Sequence, residues 1–267
     1  MMETIKLWEN VPGMCEEEPV LEFYPAIKKT SDATVVIFPG GGYHFRAPHE
    51  GQGYAEYFNT LGMNVFVCEY RVAPHRHPLP LLDARRAVQF VRYNAEKFGI
   101  NPEKVGVMGS SAGGHLAATV STCFDDFSCV LEAKDEIDAV DFIPDFQILC
   151  YPVIALKSFG HVGSMKNLLG DIGEEEEIVD YLSAYNRVSE KTPKAFVWHT
   201  FDDGGVNVKN SLAYAWKLKD FGIQCEMHIY QNGPHGLGLA RDNLSVGQWS
   251  DSLKIWLMHN GILGGKV

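Results

Sequence analysis

Short, dense apolar runs alternate along this chain with longer stretches whose apolar residues recur every three or four positions. Thr34-Val35-Val36-Ile37-Phe38 is β-branched and aromatic throughout, and Pro39-Gly40-Gly41-Gly42 stops it. Runs of this kind predict strands over 20–24, 34–38, 64–70, 105–108, 146–151, 195–199 and 224–230, the first of them antiparallel. Between them, Ala84, Ala87, Val88, Val91, Ala95 and Phe98 make one apolar stripe at helical spacing. That stripe predicts a helix over 83–98, ended by Gly99 in the left-handed manner. Further helices are expected over 54–61, 112–124, 209–221 and 246–259. Strand and helix patterns alternate, so the fold class is α/β: a mostly parallel central sheet with helices on both faces. Residues 125–145 are acidic and irregular and read as a surface insertion. Residues 153–194 have weak periodicity and are expected to form a small cap within what is otherwise one domain spanning 1–267.

One junction carries chemistry. The run Val105-Gly106-Val107-Met108 leads into Gly109-Ser110-Ser111-Ala112-Gly113, and a helical pattern follows. Gly-x-Ser-x-Gly between a strand and a helix is a nucleophile elbow, which puts Ser111 on a strained turn above the sheet. A serine hydroxyl needs a histidine to take its proton and a carboxylate to orient that histidine. The turn Pro234-His235-Gly236 follows the 224–230 run, and a tight turn is a poor place for a core histidine, so His235 is the candidate base. Asp202 and Asp203 both follow the 195–199 run, where groups of such a sheet gather. The spacing leaves the choice between them open. Gly41 and Gly42, after a strand, can turn backbone N–H groups toward an oxyanion, and Ala112 adds one more donor. Tyr43 follows directly and is expected to contact substrate. No phosphate-loop context surrounds these glycines.

Composition narrows the partners. The 267-residue chain has a formal net charge of −11, which disfavours nucleic acid and anionic membranes. No apolar run reaches spanning length, and the amino-terminal residues lack the apolar core of a secretory signal. The acidic runs 16–18 and 174–177 read as solvated faces. The six cysteines form no Cys-x-x-Cys pair; Cys68 and Cys150 lie in apolar runs and read as reduced core thiols, as in a cytoplasmic protein. Cys123 and Cys129 are the nearest candidates for one bridge. His75 and His77 could share a metal, but no carboxylate or cysteine partner accompanies them, and no metal is assigned. His115 is expected to pack within the elbow helix, and Trp198 and Tyr230 within the core.

Taken together, six stretches resemble the α/β-hydrolase superfamily. They are 38–43, His49-Glu50-Gly51, Tyr70-Arg71-Val72-Ala73-Pro74, 109–115, 198–203 and 234–238. More narrowly, the chain is similar to acetyl-xylan-esterase-like and feruloyl-esterase-like carbohydrate esterases near the hormone-sensitive-lipase branch. The resemblance spans roughly 34–259. It places the acid in an Asp-x-x-Val-Pro pattern, which Asp203 to Asn207 matches with asparagine in place of proline; this selects Asp203. Pro39 stands where the lipase branch has histidine, and Ser110 where it often has aspartate. The resemblance implies a serine esterase that hydrolyses short acyl esters on sugars through Ser111, His235 and Asp203, without metal or cofactor. A peptidase or arylformamidase on the same scaffold is the alternative enzyme. A binding protein of this fold is the alternative outside catalysis.

Overall fold

The computed structural model describes residues 2–13, 17–125 and 134–264. Its elements are, in chain order, β1 (Glu3–Lys6), β2 (Val20–Tyr24), β3 (Thr34–Phe38), α1 (Pro48–Thr60), β4 (Asn64–Glu69), α2 (Leu79–Tyr93), α3 (Ala95–Phe98), β5 (Val105–Ser110), α4 (Ser111–Thr122), β6 (Phe146–Cys150), α5 (Val162–Leu169), α6 (Glu176–Tyr181), β7 (Lys194–Thr200), α7 (Lys209–Asp220), β8 (Cys225–Tyr230) and α8 (Trp249–His259). The strands form one sheet in the order β1-β2-β4-β3-β5-β6-β7-β8. β1 and β2 are antiparallel, and β4 to β8 run parallel with β3. This is the α/β-hydrolase fold.

Both faces of the sheet are covered, which is why its central strands read as unbroken apolar runs. Val36, Phe38, Val107, Leu149 and Val197 pack on one side with α2, α4 and α7. Their neighbours Val35, Ile37, Met108, Ile148 and Trp198 pack on the other with α1 and α8. The period of two thus survives beneath a continuous hydrophobic pattern.

Two helices differ from expectation. α1 begins at Pro48, six residues before the predicted start, because proline is tolerated in the first turn of a helix. The long helix expected over 83–98 starts at Leu79 and is interrupted at Asn94, whose side-chain amide donates to the Phe90 carbonyl at 2.9 Å. Gly99 ends the second piece at φ 61°, as predicted. Asp83 is therefore not a helix start. It is fully buried beneath the sheet end, where it accepts from Arg71 Nε at 2.8 Å, Arg71 Nη2 at 2.6 Å and Trp8 Nε1 at 3.3 Å. The Arg71 and Asp83 side chains are both 0% exposed, so losing the carboxylate strands a charge in the core. Asp83→Ala is expected to cost about 3–5 kcal/mol, read as a lower denaturation midpoint in urea. A loss below about 1 kcal/mol would contradict that reading.

Residues 153–194 hold α5, α6 and two 3₁₀ turns between β6 and β7. The excursion touches the glycine loop and α4: Asn167 donates to the Gly42 carbonyl at 2.8 Å, and His115 Nε2 lies 2.7 Å from the Leu182 carbonyl. Cys68, Cys123 and Cys150 are buried and free; Cys129, the other half of the suggested bridge, lies outside the described residues, as does most of the first half of the 125–145 insertion.

Candidate active site

The carboxyl ends of β3, β5, β7 and β8 converge on one cleft. β5 runs to Ser110, and Ser111 opens α4 with φ 53°. A residue with a side chain held in that region costs on the order of 1–3 kcal/mol, and close backbone packing is what holds it there. A Cβ on Gly109 would fall on the Gly113 carbonyl, and one on Gly113 on the Phe38 carbonyl. The two flanking glycines are thus required by backbone that has nowhere to move. Val153 N–H donates to the Ser111 carbonyl at 2.9 Å and ties the turn to the end of β6.

His235 Nε2 lies 2.8 Å from Ser111 Oγ, and His235 Nδ1 lies 2.8 Å from Asp203 Oδ2. The other oxygen of Asp203 accepts the N–H groups of Gly205 and Val206 at 2.8 and 2.9 Å. Gly205 has no room for a side chain, since a Cβ there would press on the His235 ring. The Asp203 carboxylate is 1% exposed and His235 26%, so the carboxylate is shielded while the imidazole still reaches the cleft. Asp202 turns away: it accepts from Gly233 N–H at 2.8 Å and from the Asn232 amide at 3.0 Å, which fixes the loop leading to His235.

A second histidine lies against Asp203. His199, at the end of β7 and fully buried, has Nε2 2.9 Å from the Val206 carbonyl and 3.3 Å from Asp203 Oδ2, with Nδ1 2.7 Å from Ser211 Oγ. A carbonyl can only accept, so the hydrogen is on Nε2 and points between carbonyl and carboxylate. Burial pushes Asp203 upward, but hydrogen bonds from His199, His235 and Val206 N–H outweigh it and hold the carboxyl well below the usual carboxylate range. Sequence reasoning passed over His199 because a histidine inside an apolar strand reads as core. Its position four residues before the acid was the available signal.

The glycine loop lies across the cleft floor. Gly41 and Gly42 have φ 129° and 66°, conformations closed to most side chains. The Gly41 carbonyl accepts from His44 and Phe45 N–H, and the Gly42 carbonyl from Asn167. Among the described residues, the N–H groups of Gly41 and Gly42 donate to no protein acceptor, and that of Ala112 belongs to the first turn of α4, which has none to offer. Gly40 N–H donates at 2.8 Å to Glu50, a buried carboxylate whose other oxygen takes the Tyr151 hydroxyl at 2.6 Å. Tyr151 in turn accepts Gly238 N–H at 2.9 Å and packs edge-on to His235 at 5.1 Å. One buried carboxylate and one phenol thereby join the glycine loop to the histidine loop.

Tyr43 is not in the cleft, and the expected substrate contact is corrected. Its φ of 58° turns the side chain under the loop, where it is 1% exposed and its hydroxyl lies 2.8 Å from His115 Nδ1. His115 gives Nε2–H to Leu182 and so accepts from the phenol; burial pushes its pKa down to about 4 and keeps the ring neutral. The aromatic side chain that does reach the cleft is Phe45, two residues on and 55% exposed. Phe45, Pro48, His49 and His161 line a cleft of about 430 Å³ with Gly41, Gly42, Ser111 and His235. His161, from the 153–194 excursion, was also missed in the sequence.

The BD-FAE family matches residues 21–218. An acetyl ester-xyloside bifunctional hydrolase from Caldicellulosiruptor lactoaceticus superposes with a TM-score of 0.92 at 43% identity, covering 98% of this chain and 97% of that one. Endo-1,4-beta-xylanase B of Butyrivibrio fibrisolvens is 37% identical over 220 residues, covering 81% of this chain and 34% of the relative. An acetylxylan esterase of Xylanibacter ruminicola is 31% identical over 255 residues, covering 88% of this chain and 50% of the relative. The chain thus spans between a third and a half of the length of these two relatives. With Gly-x-Ser-x-Gly at the end of β5, Asp203 after β7 and His235 after β8, this chain belongs to the BD-FAE family of the α/β-hydrolase superfamily.

Proposed function

We propose that the protein is a serine esterase that removes short acyl groups, acetyl foremost, from the hydroxyls of xylo-oligosaccharides. The observation that carries this is the unbroken hydrogen-bond chain Ser111–His235–Asp203, opening into a cleft with uncommitted backbone donors. The acetylxylan esterase and the acetyl ester-xyloside hydrolase among the proteins it resembles support the substrate class. Ser111 Oγ attacks the ester carbonyl carbon while His235 Nε2 takes its proton. The carbonyl oxygen becomes an oxyanion and is received by the N–H groups of Gly41, Gly42 and Ala112. Collapse breaks the bond to the sugar oxygen, which leaves with the proton from His235. Water, activated by the same histidine, then cleaves the acyl-serine and frees the carboxylic acid. Asp203, held ionised and oriented by His199, keeps the imidazole hydrogen on Nδ1 throughout. Residues 153–194 act as a small cap over the alcohol side of the cleft, and the free buried thiols support a reducing, cytoplasmic setting.

The test is acetate release from acetylated xylo-oligosaccharides, set beside feruloyl esters and p-nitrophenyl esters from acetate to octanoate. A cleft of this size gains about 0.8 kcal/mol per buried methylene while room remains and loses about 1–3 kcal/mol once overpacked. Activity is expected to peak between acetyl and butyryl and to fall sharply by octanoyl. A steady rise in kcat/KM out to octanoate would reveal a long acyl channel and replace the sugar-ester reading with a lipase-like one.

A further inference from the structure

His161 caps α5 and lines the cleft. Its Nδ1 accepts Ser164 N–H at 3.1 Å and lies 2.8 Å from Ser164 Oγ. A backbone N–H can only donate, so Nδ1 is the bare nitrogen and the neutral ring carries its hydrogen on Nε2. Among the described residues no group takes that hydrogen. Burial lowers the pKa of His161, and the charge that develops on His235 lowers it further against the pull of Asp203, so the ring stays neutral beside the working site.

The other polar side chains of the cleft wall are committed. His49 gives Nε2–H to the Gly236 carbonyl at 2.9 Å. Glu50 is engaged by Gly40 and Tyr151. Phe45, Ala47 and Pro48 offer apolar surface only. Among the described residues, and apart from Ser111 and His235, His161 Nε2–H is the one side-chain donor of the wall left for a ligand. An ester on a sugar ring differs from a simple alkyl or aryl ester in having a hydroxyl on the neighbouring carbon, and a hydroxyl oxygen accepts hydrogen bonds.

We propose that His161 Nε2–H donates to the hydroxyl adjacent to the scissile acetyl ester, which makes His161 a specificity residue for the sugar alcohol. This rests on the sugar-ester reading above. The cap thereby takes part in the chemistry, because α5 fixes the ring through its own N-terminal N–H.

The test is a cycle between enzyme and substrate. Initial kcat/KM is measured for a monoacetylated methyl xyloside and for its analogue lacking the adjacent hydroxyl, with wild type, His161→Asn and His161→Gln. Asparagine is a favoured helix cap, so His161→Asn keeps the acceptor for Ser164 N–H while its amide stops short of the Nε2 position. Glutamine places an N–H donor near that position. His161→Asn is expected to lower the ratio of hydroxylated to deoxy substrate about tenfold, the size of one lost hydrogen bond, and His161→Gln to restore most of it. An unchanged ratio in His161→Asn, with wild type active on both xylosides, overturns the role of His161 and leaves the sugar-ester reading standing. Wild-type turnover of p-nitrophenyl acetate but of neither xyloside overturns the sugar-ester reading and the role of His161 with it.

Discussion

Ser111→Ala is expected to fold as the parent does and to lose on the order of 10⁶-fold in kcat on any ester. The alanine keeps the φ of 53° and the packing of Gly109 and Gly113 around it. It removes only the oxygen that would carry the acyl group. Ser110→Ala is the matched control for the register of the motif: Ser110 Oγ lies 2.8 Å from the Tyr54 hydroxyl, buried and turned away from His235. A fluorophosphonate probe should label the parent at Ser111 and leave Ser111→Ala unlabelled. Labelling at Ser110 would sink the assignment.

The second large effect belongs to the acid. Asp203→Asn should lower kcat by about 10⁴-fold, because an amide in that place can offer N–H to His235 Nδ1 and drive the imidazole hydrogen onto Nε2, where it faces Ser111. His199 sharpens the expectation. It already donates toward Asp203 Oδ2, and Gly205 and Val206 donate to Oδ1. With His235, the site supplies hydrogen from four sides and is built for a group that only accepts. Asp202→Asn should cost far less, since its partners are Gly233 N–H and the Asn232 amide in the supporting loop. The reverse ranking of the two variants, measured as kcat on p-nitrophenyl acetate, would show that the acid is Asp202.

The residues that could be read from the chain are those whose constraint is local. Gly109 and Gly113 are fixed by backbone a few residues away or one strand over, and such a constraint leaves a spacing in the sequence. The parallel sheet was legible for a similar reason, since burial on both faces forces apolar residues at nearly every position of β3 and β6. What could not be read depends on direction. Tyr43 looked like a cleft residue because it follows the glycines, but a positive φ turned it inward, and no pattern of residue types records that reversal. Glu50 is a charged residue just ahead of the expected helix 54–61; its burial is explained by Gly40 and by Tyr151, which lies 101 positions after it. His199 and His161 were hidden in the same way, one within an apolar strand and one within a segment of weak periodicity.

The order of strands also bears on how the protein comes into being. The glycine loop and the elbow lie on β3 and β5 and leave the ribosome early, whereas the histidine that faces Ser111 is 124 residues further on, beyond the edge strand β8. On the proposed mechanism, a chain that stops short of His235 holds the nucleophile and the glycine loop without their base, and it is expected to fall far below the full chain in ester turnover.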